Sequence, residues 1–175
     1  MDSIQMVYGL GRAKNALQDY LIQKLLFPNV YLDAEFNGKK VNVLAIDREG
    51  TGDVHAVYIP YQGTDIENAL ETVIANIQSP PPSARVLPHF IYSAIVNNGP
   101  GASKYDLSER IIQKSFSLGD DGVGRVGILY VDLSESDPSV QVILRAERFR
   151  NSKELVEMAD QFVATHTTAN WELRG

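Results

Sequence analysis

The sequence predicts an α/β (α+β) fold: a central mixed β-sheet flanked by helices, in the order α-β-β-β-α-β followed by α-β-β-α. Three observations predict it. Four stretches carry apolar residues at helical three- and four-residue spacing, and six others are alternating or nearly all apolar. Turn residues punctuate the boundaries, among them Asn37-Gly38 and Ser79-Pro80-Pro81-Pro82-Ser83. The 175 residues suit one domain, 1–175, and a chain of that length can bury a core without disulfide or metal staples.

The first helix spans Arg12 to Leu26, where Ala13, Ala16, Leu17, Tyr20, Leu21 and Leu25 form one apolar face. Phe27-Pro28-Asn29 ends it, because proline disfavours helix at the residue before it. Asn29 to Phe36 alternates through Val30, Leu32, Ala34 and Phe36 and reads as a strand. Val41 to Ile46 is nearly all apolar, as in a strand buried on both faces. Val54 to Tyr61 is a third strand. Asn37-Gly38 is a hairpin signal, and the polar turn from Arg48 to Asp53 joins the next pair, so the three strands form an antiparallel meander.

Thr64 and Asp65 offer caps for a helix to Gln78, whose buried stripe is Ile66, Leu70, Val73, Ile74 and Ile77. The proline run after it is a linker but not a domain boundary, because neither side has its own complete core. Val86 to Val96 is a strand and Asn97 to Ser103 a glycine-containing loop. Asp106 to Phe116 is a helix with Asp106 as its cap, followed by a turn from Ser117 to Gly124. Val126 to Leu133 and Val140 to Phe149 are strands. The last helix runs from Ser152 to Thr165, and Thr167 to Gly175 is an irregular end anchored by Trp171.

Composition narrows the function. With no cysteine, disulfides, thiolate catalysis and Cys-ligated zinc are excluded. The formal net charge is −6 and the basic residues are dispersed, which disfavours tight non-specific nucleic-acid binding. Arg145, Arg148 and Arg150 form a small basic group that reads as a solvated strand end. Met1 to Leu10 has no basic region and no long apolar run, and no stretch approaches a membrane span. The expectation is therefore a soluble, cytoplasmic domain without a membrane partner.

The stretch Ala13 to Tyr61, with Val41-Asn42-Val43-Leu44-Ala45-Ile46-Asp47 and Val54-His55-Ala56-Val57-Tyr58-Ile59-Pro60, resembles the PD-(D/E)XK nuclease superfamily, the restriction-endonuclease-like fold. The resemblance implies a helix, a three-stranded meander, a helix and a strand. It also implies a helical glutamate, an aspartate in the second strand and a Glu-x-Lys or Asp-x-Lys in the third, with magnesium on the carboxylates. Those positions fall at Lys14, Asn42, Tyr58 and Pro60, and all four depart from the pattern. Magnesium requires hard oxygen ligands, including carboxylates. Asn42 offers one neutral oxygen, Tyr58 a protonated phenol, Pro60 no donor, and Lys14 the wrong charge. No metal or other cofactor is expected there.

Displaced ligands are the alternative. Asp33 and Glu35 lie two residues apart on the first strand, a spacing that sets both on one face, and Asp47, with Glu67 as a fourth candidate, could complete a magnesium clamp. Their plainer reading is a solvent-facing strand and turn chemistry. Gly122-x-Gly124-x-x-Gly127 has dinucleotide spacing but precedes a strand, so it reads as a turn. His55, His89 and His166 are far apart in sequence and read as polar or core residues. Three functional readings remain: a non-catalytic binding or scaffold domain, a metal-dependent nuclease with displaced ligands, and an unrelated α/β small-ligand-binding domain. For the first, a protein partner or self-association is favoured over nucleic acid, with Tyr58, Tyr61, Phe90 and Tyr92 as candidate contact aromatics.

Overall fold

A computed structural model describes residues 3–47, 52–60, 65–79, 86–97, 107–118, 123–150 and 153–174. The elements are α1 (Ser3–Asp19), β1 (Asn29–Phe36), β2 (Lys39–Ile46), β3 (Val54–Tyr58), α2 (Ile66–Gln78), β4 (Phe90–Asn97), α3 (Glu109–Ser115), β5 (Gly127–Asp132), β6 (Ser139–Leu144) and α4 (Lys153–Arg174). This is the order that the sequence predicts. The six strands form one mixed sheet in spatial order β1-β2-β3-β4-β5-β6. β1 to β3 are an antiparallel meander, β3–β4 and β4–β5 are parallel, and β5–β6 is antiparallel. Each parallel pair is joined through a helix, as parallel neighbours require.

The sheet is apolar on both sides, which is why β2 and β5 read as nearly continuous hydrophobic runs. On one side, α1 packs Ala13, Ala16 and Leu17 onto Val43, Ala45, Val57, Leu129 and Val131. On the other, α2, α3 and α4 bring Leu70, Val73, Ile111, Leu155 and Phe162 onto Leu44, Ala56, Ile91, Ile95 and Ile128. The Asn37-Gly38 turn takes positive φ at both residues, 53° and 70°, the conformation a two-residue hairpin needs.

Helix ends are satisfied by side chains. Asp65 accepts from the Glu67 amide at 2.9 Å and Ser108 from the Ile111 amide at 3.2 Å. At the C-terminal end of α2, the Lys39 ammonium donates to the carbonyls of Asn76, Ile77 and Ser79 at 2.5–2.7 Å. Burial at this helix end lowers the Lys39 pKa below its usual value.

Several predicted boundaries are corrected. The first helix begins at Ser3, not Arg12, and runs through Gly9 and Gly11, residues of low helix propensity. It continues as a π-helical turn, Tyr20–Lys24, and ends where Leu26 adopts φ 58° ahead of Phe27-Pro28. Ser108, not Asp106, caps α3, and Asp106 itself lies outside the described residues. β4 starts at Phe90 rather than Val86, after Pro88 and His89. β6 stops at Leu144, beyond a register shift opposite Ile128 and Leu129, so Arg145 to Phe149 are not part of the strand. α4 continues to Arg174, where an irregular end was expected. Polar Thr165 to Asn170 carry no apolar stripe, so periodicity ended the prediction too early. The Trp171 side chain, Thr64 and Tyr61 lie outside what the structure describes.

Candidate functional site

Two of the four positions that the resemblance singles out, Lys14 and Asn42, lie at one pair of residues in the β1–β2 ladder. On both sides of it the register is continuous, Leu32↔Val43 and then Ala34↔Val41, with Asp33 and Asn42 between. Asp33 is left-handed, at φ 52°. Tyr31 and Ala34 of β1 face the same core layer although three residues apart, and so do Val41 and Leu44 of β2. Strict alternation would put three-residue neighbours on opposite faces. Both strands therefore reverse their facing at the Asp33–Asn42 pair.

Lys14, Asn42 and Tyr58 each have a structural role. Lys14, on α1, reaches Asp33 with an ammonium-to-carboxylate distance of 2.7 Å. Asn42 turns its carbonyl oxygen to the Ile59 amide at 2.8 Å, beyond the last β2–β3 pair, Val43↔Val57. Its side chain thus replaces a backbone acceptor where the ladder ends. Tyr58 is buried in the layer beneath α2 and α4, and burial drives its phenol above the usual range. Lys14 comes from the helix on the other side of the sheet. Pro60 follows β3 and is half-buried.

The displaced carboxylates are dispersed. Period-two alternation does not run through left-handed Asp33, so it does not set Asp33 and Glu35 side by side. Glu35 is exposed and lines an open groove of about 260 Å³ with Phe36, Gln161, Phe162 and His166. Asp47 follows β2, its amide donating to the Asp53 carbonyl at 2.9 Å. Glu67 is on α2, paired with Arg110 at 2.8 Å and Lys114 at 2.5 Å of α3, and Lys114 also contacts Glu71. Among the described residues, no three His, Asp or Glu side chains gather in a metal-binding arrangement.

The polar constellation that sequence reasoning missed is at the opposite end of β3. His55 and Phe90 are register partners, which sets His55 beside His89. The His55 ring stacks on Phe90 with centroids 4.5 Å apart, and Phe27 meets it edge-on at 4.5 Å. Its Nδ1 is buried with no hydrogen-bond partner. Its pKa is lowered to about 4, chiefly by burial among these aromatics; Asp53 and Asp47 oppose the shift, and His89 and Arg148 add to it. His89 is 1% exposed, and its Nδ1 accepts from the Val54 amide at 2.8 Å, so that nitrogen is the unprotonated one. Burial likewise lowers its pKa. Arg148 pairs with Asp53 at 2.9 Å, giving one member of the basic group a partner in this cluster. His166 lies elsewhere, stacked on Phe162. No spacing motif marks this cluster; the parallel register of β3 and β4 brings His55 and His89 together.

The glycine motif has a packing explanation. Gly124 has φ +92°, and a Cβ there would overlap the Phe149 ring. A Cβ on Gly127 would lie 2.6 Å from the Ala146 nitrogen. Both are close approaches within the β5–β6 region, not a phosphate cradle. Among the described residues, no helix is long and apolar enough to cross a membrane. Scans against protein-family models, curated proteins and solved structures return no match to this chain.

Proposed function

We propose that this chain is a non-catalytic relative of the PD-(D/E)XK nucleases, acting as a binding or scaffold domain. The observation that carries the reading is the use to which the degenerate positions are put. Asn42 holds the Ile59 amide, Lys14 neutralises Asp33, and Tyr58 fills the core. A divalent cation there would meet an ammonium and a neutral amide oxygen where it needs anionic oxygens. Asp33, at the same rung as Asn42, already serves Lys14.

The test is a nicking assay on supercoiled DNA and on single-stranded RNA with magnesium or manganese titrated. The expected result is no metal-dependent cleavage above a chain-free control. Cleavage that is lost in Asp33→Ala or Glu35→Ala would establish displaced ligands and overturn the proposal.

A further inference from the structure

His89, just before β4, joins β3, β4 and the chain beyond β6 at one corner of the sheet. It is 1% exposed. Its Nδ1 accepts from the amide of Val54, the first residue of β3, at 2.8 Å, and its carbonyl accepts from the Phe149 amide at 2.8 Å. The same Nδ1 stands 3.9 Å from Asp53 Oδ1, the oxygen that Arg148 meets at 2.9 Å. Arg148 and Phe149 belong to the segment between β6 and α4. That segment is therefore tied to the sheet by the Phe149–His89 hydrogen bond and the Arg148–Asp53 ion pair. The titratable and charged groups acting on the corner are Asp53 and Asp47, at the two ends of the β2–β3 turn, with His55 of β3 and Arg148.

Protonation must change this arrangement. A neutral imidazole whose Nδ1 accepts carries its hydrogen on Nε2, so a second proton goes to Nδ1. That nitrogen then sets an N–H against the Val54 N–H, and their hydrogen bond is lost. The Asp53 carboxylate is the acceptor at hand. Two cations on one oxygen repel. Arg148 is exposed and has water to turn to, whereas buried His89 has none. We infer that His89 is a proton-operated latch: neutral, it holds the Val54 amide and leaves Asp53 to Arg148; protonated, it takes Asp53 and releases Arg148, loosening the segment between β6 and α4. The proton comes from solvent and returns to it when the pH rises. Burial lowers the His89 pKa, Asp53 opposes the shift and Arg148 adds to it, so the latch opens below the ordinary histidine range. This goes beyond the functional reading above, since it holds whatever the degenerate site does. His55 cannot operate the same latch, because its Nδ1 has no hydrogen bond to exchange.

An NMR titration of the full chain from about pH 7.5 to about pH 4.5 tests it. It follows the His89 ring, the Val54 and Phe149 amides and the Arg148 side-chain N–H. The Val54 and Arg148 signals are expected to shift with the His89 midpoint, and the exchange protection of the Phe149 amide to fall with them. Arg148→Met should raise that midpoint and Asp53→Asn should lower it, each by about half a pH unit or more. His89→Gln, which offers Val54 an acceptor that does not titrate, should abolish the transition, and His55→Phe should keep it. Val54 and Arg148 signals that stay flat while His89 titrates overturn the inference. So does a midpoint that Arg148→Met leaves unmoved, or loss of the dispersed amide spectrum at that midpoint, which would make the event unfolding.

Discussion

His55 should make this fold acid-sensitive in a range where carboxylates are still ionised. In the unfolded chain its pKa is the ordinary 6.5; in the fold it is about 4. Between those values the unfolded state binds more protons, so stability rises with pH. The contribution is complete above pH 6.5 and is lost as pH falls toward 4. For one group with these two pKa values, the loss between pH 7 and pH 5 is about 2 kcal/mol. The source is the aromatic sandwich: a protonated ring would need water that Phe27 and Phe90 exclude, and its buried Nδ1 has no acceptor to meet. Phenylalanine keeps the ring stacking and removes the proton site, so His55→Phe should be no less stable at pH 7. Urea unfolding at constant ionic strength, at pH 7, 6 and 5, measures the difference. The wild type should lose about 2 kcal/mol more than the variant. Some slope will remain in His55→Phe because the His89 pKa is lowered too. Equal losses in both proteins would refute the assignment of the proton to His55.

Three further outcomes are expected from the same unfolding assay. Gly11→Ala should stabilise by about 0.5–1 kcal/mol, since Gly11 is inside α1 and a Cβ there meets nothing within 4 Å. Gly124→Ala should destabilise by about 3 kcal/mol, through a left-handed backbone and overlap with Phe149. Asn42→Ala should lose about 1–2 kcal/mol by orphaning the Ile59 amide, whereas Asn42→Asp, which keeps an acceptor, should lose less.

The fold was largely legible because its signals are local. Asn37-Gly38 fixes a hairpin through two positive-φ residues, and the proline run after Gln78 stops a helix. The stripe Ile66, Leu70, Val73 and Ile77 is a helix face whatever it packs on. What failed was also local: Gly9 and Gly11 hid the start of α1, and the polar Thr165 to Asn170 hid the continuation of α4. The candidate site was less legible because it depends on pairing. That His55 neighbours His89 follows from β3 running parallel to β4, which no stretch of either strand encodes. Charge pairing was equally hidden, since Glu67 meets Arg110 and Lys114 only after α2 and α3 pack together.

The reversal at Asp33 and Asn42 explains why residue spacing misled at the place where chemistry was expected. Pattern reasoning assumes that side chains two apart share a face. One left-handed residue cancels that assumption for the strand beyond it, and the unbroken register obliges β2 to reverse at the same rung. The reversal lets Ala34, Phe36 and Val41 enter the layer beneath α2 and α4, where strict alternation would have put Asp33 and Glu35 of β1. It also leaves Asp33 free to meet Lys14 from the α1 side. Asparagine at 42 then follows from the same geometry: where the β2–β3 ladder stops, a short side-chain acceptor reaches the Ile59 amide that the backbone no longer serves. In this chain residue 42 therefore serves the end of the β2–β3 ladder as a side-chain acceptor, a role independent of any metal.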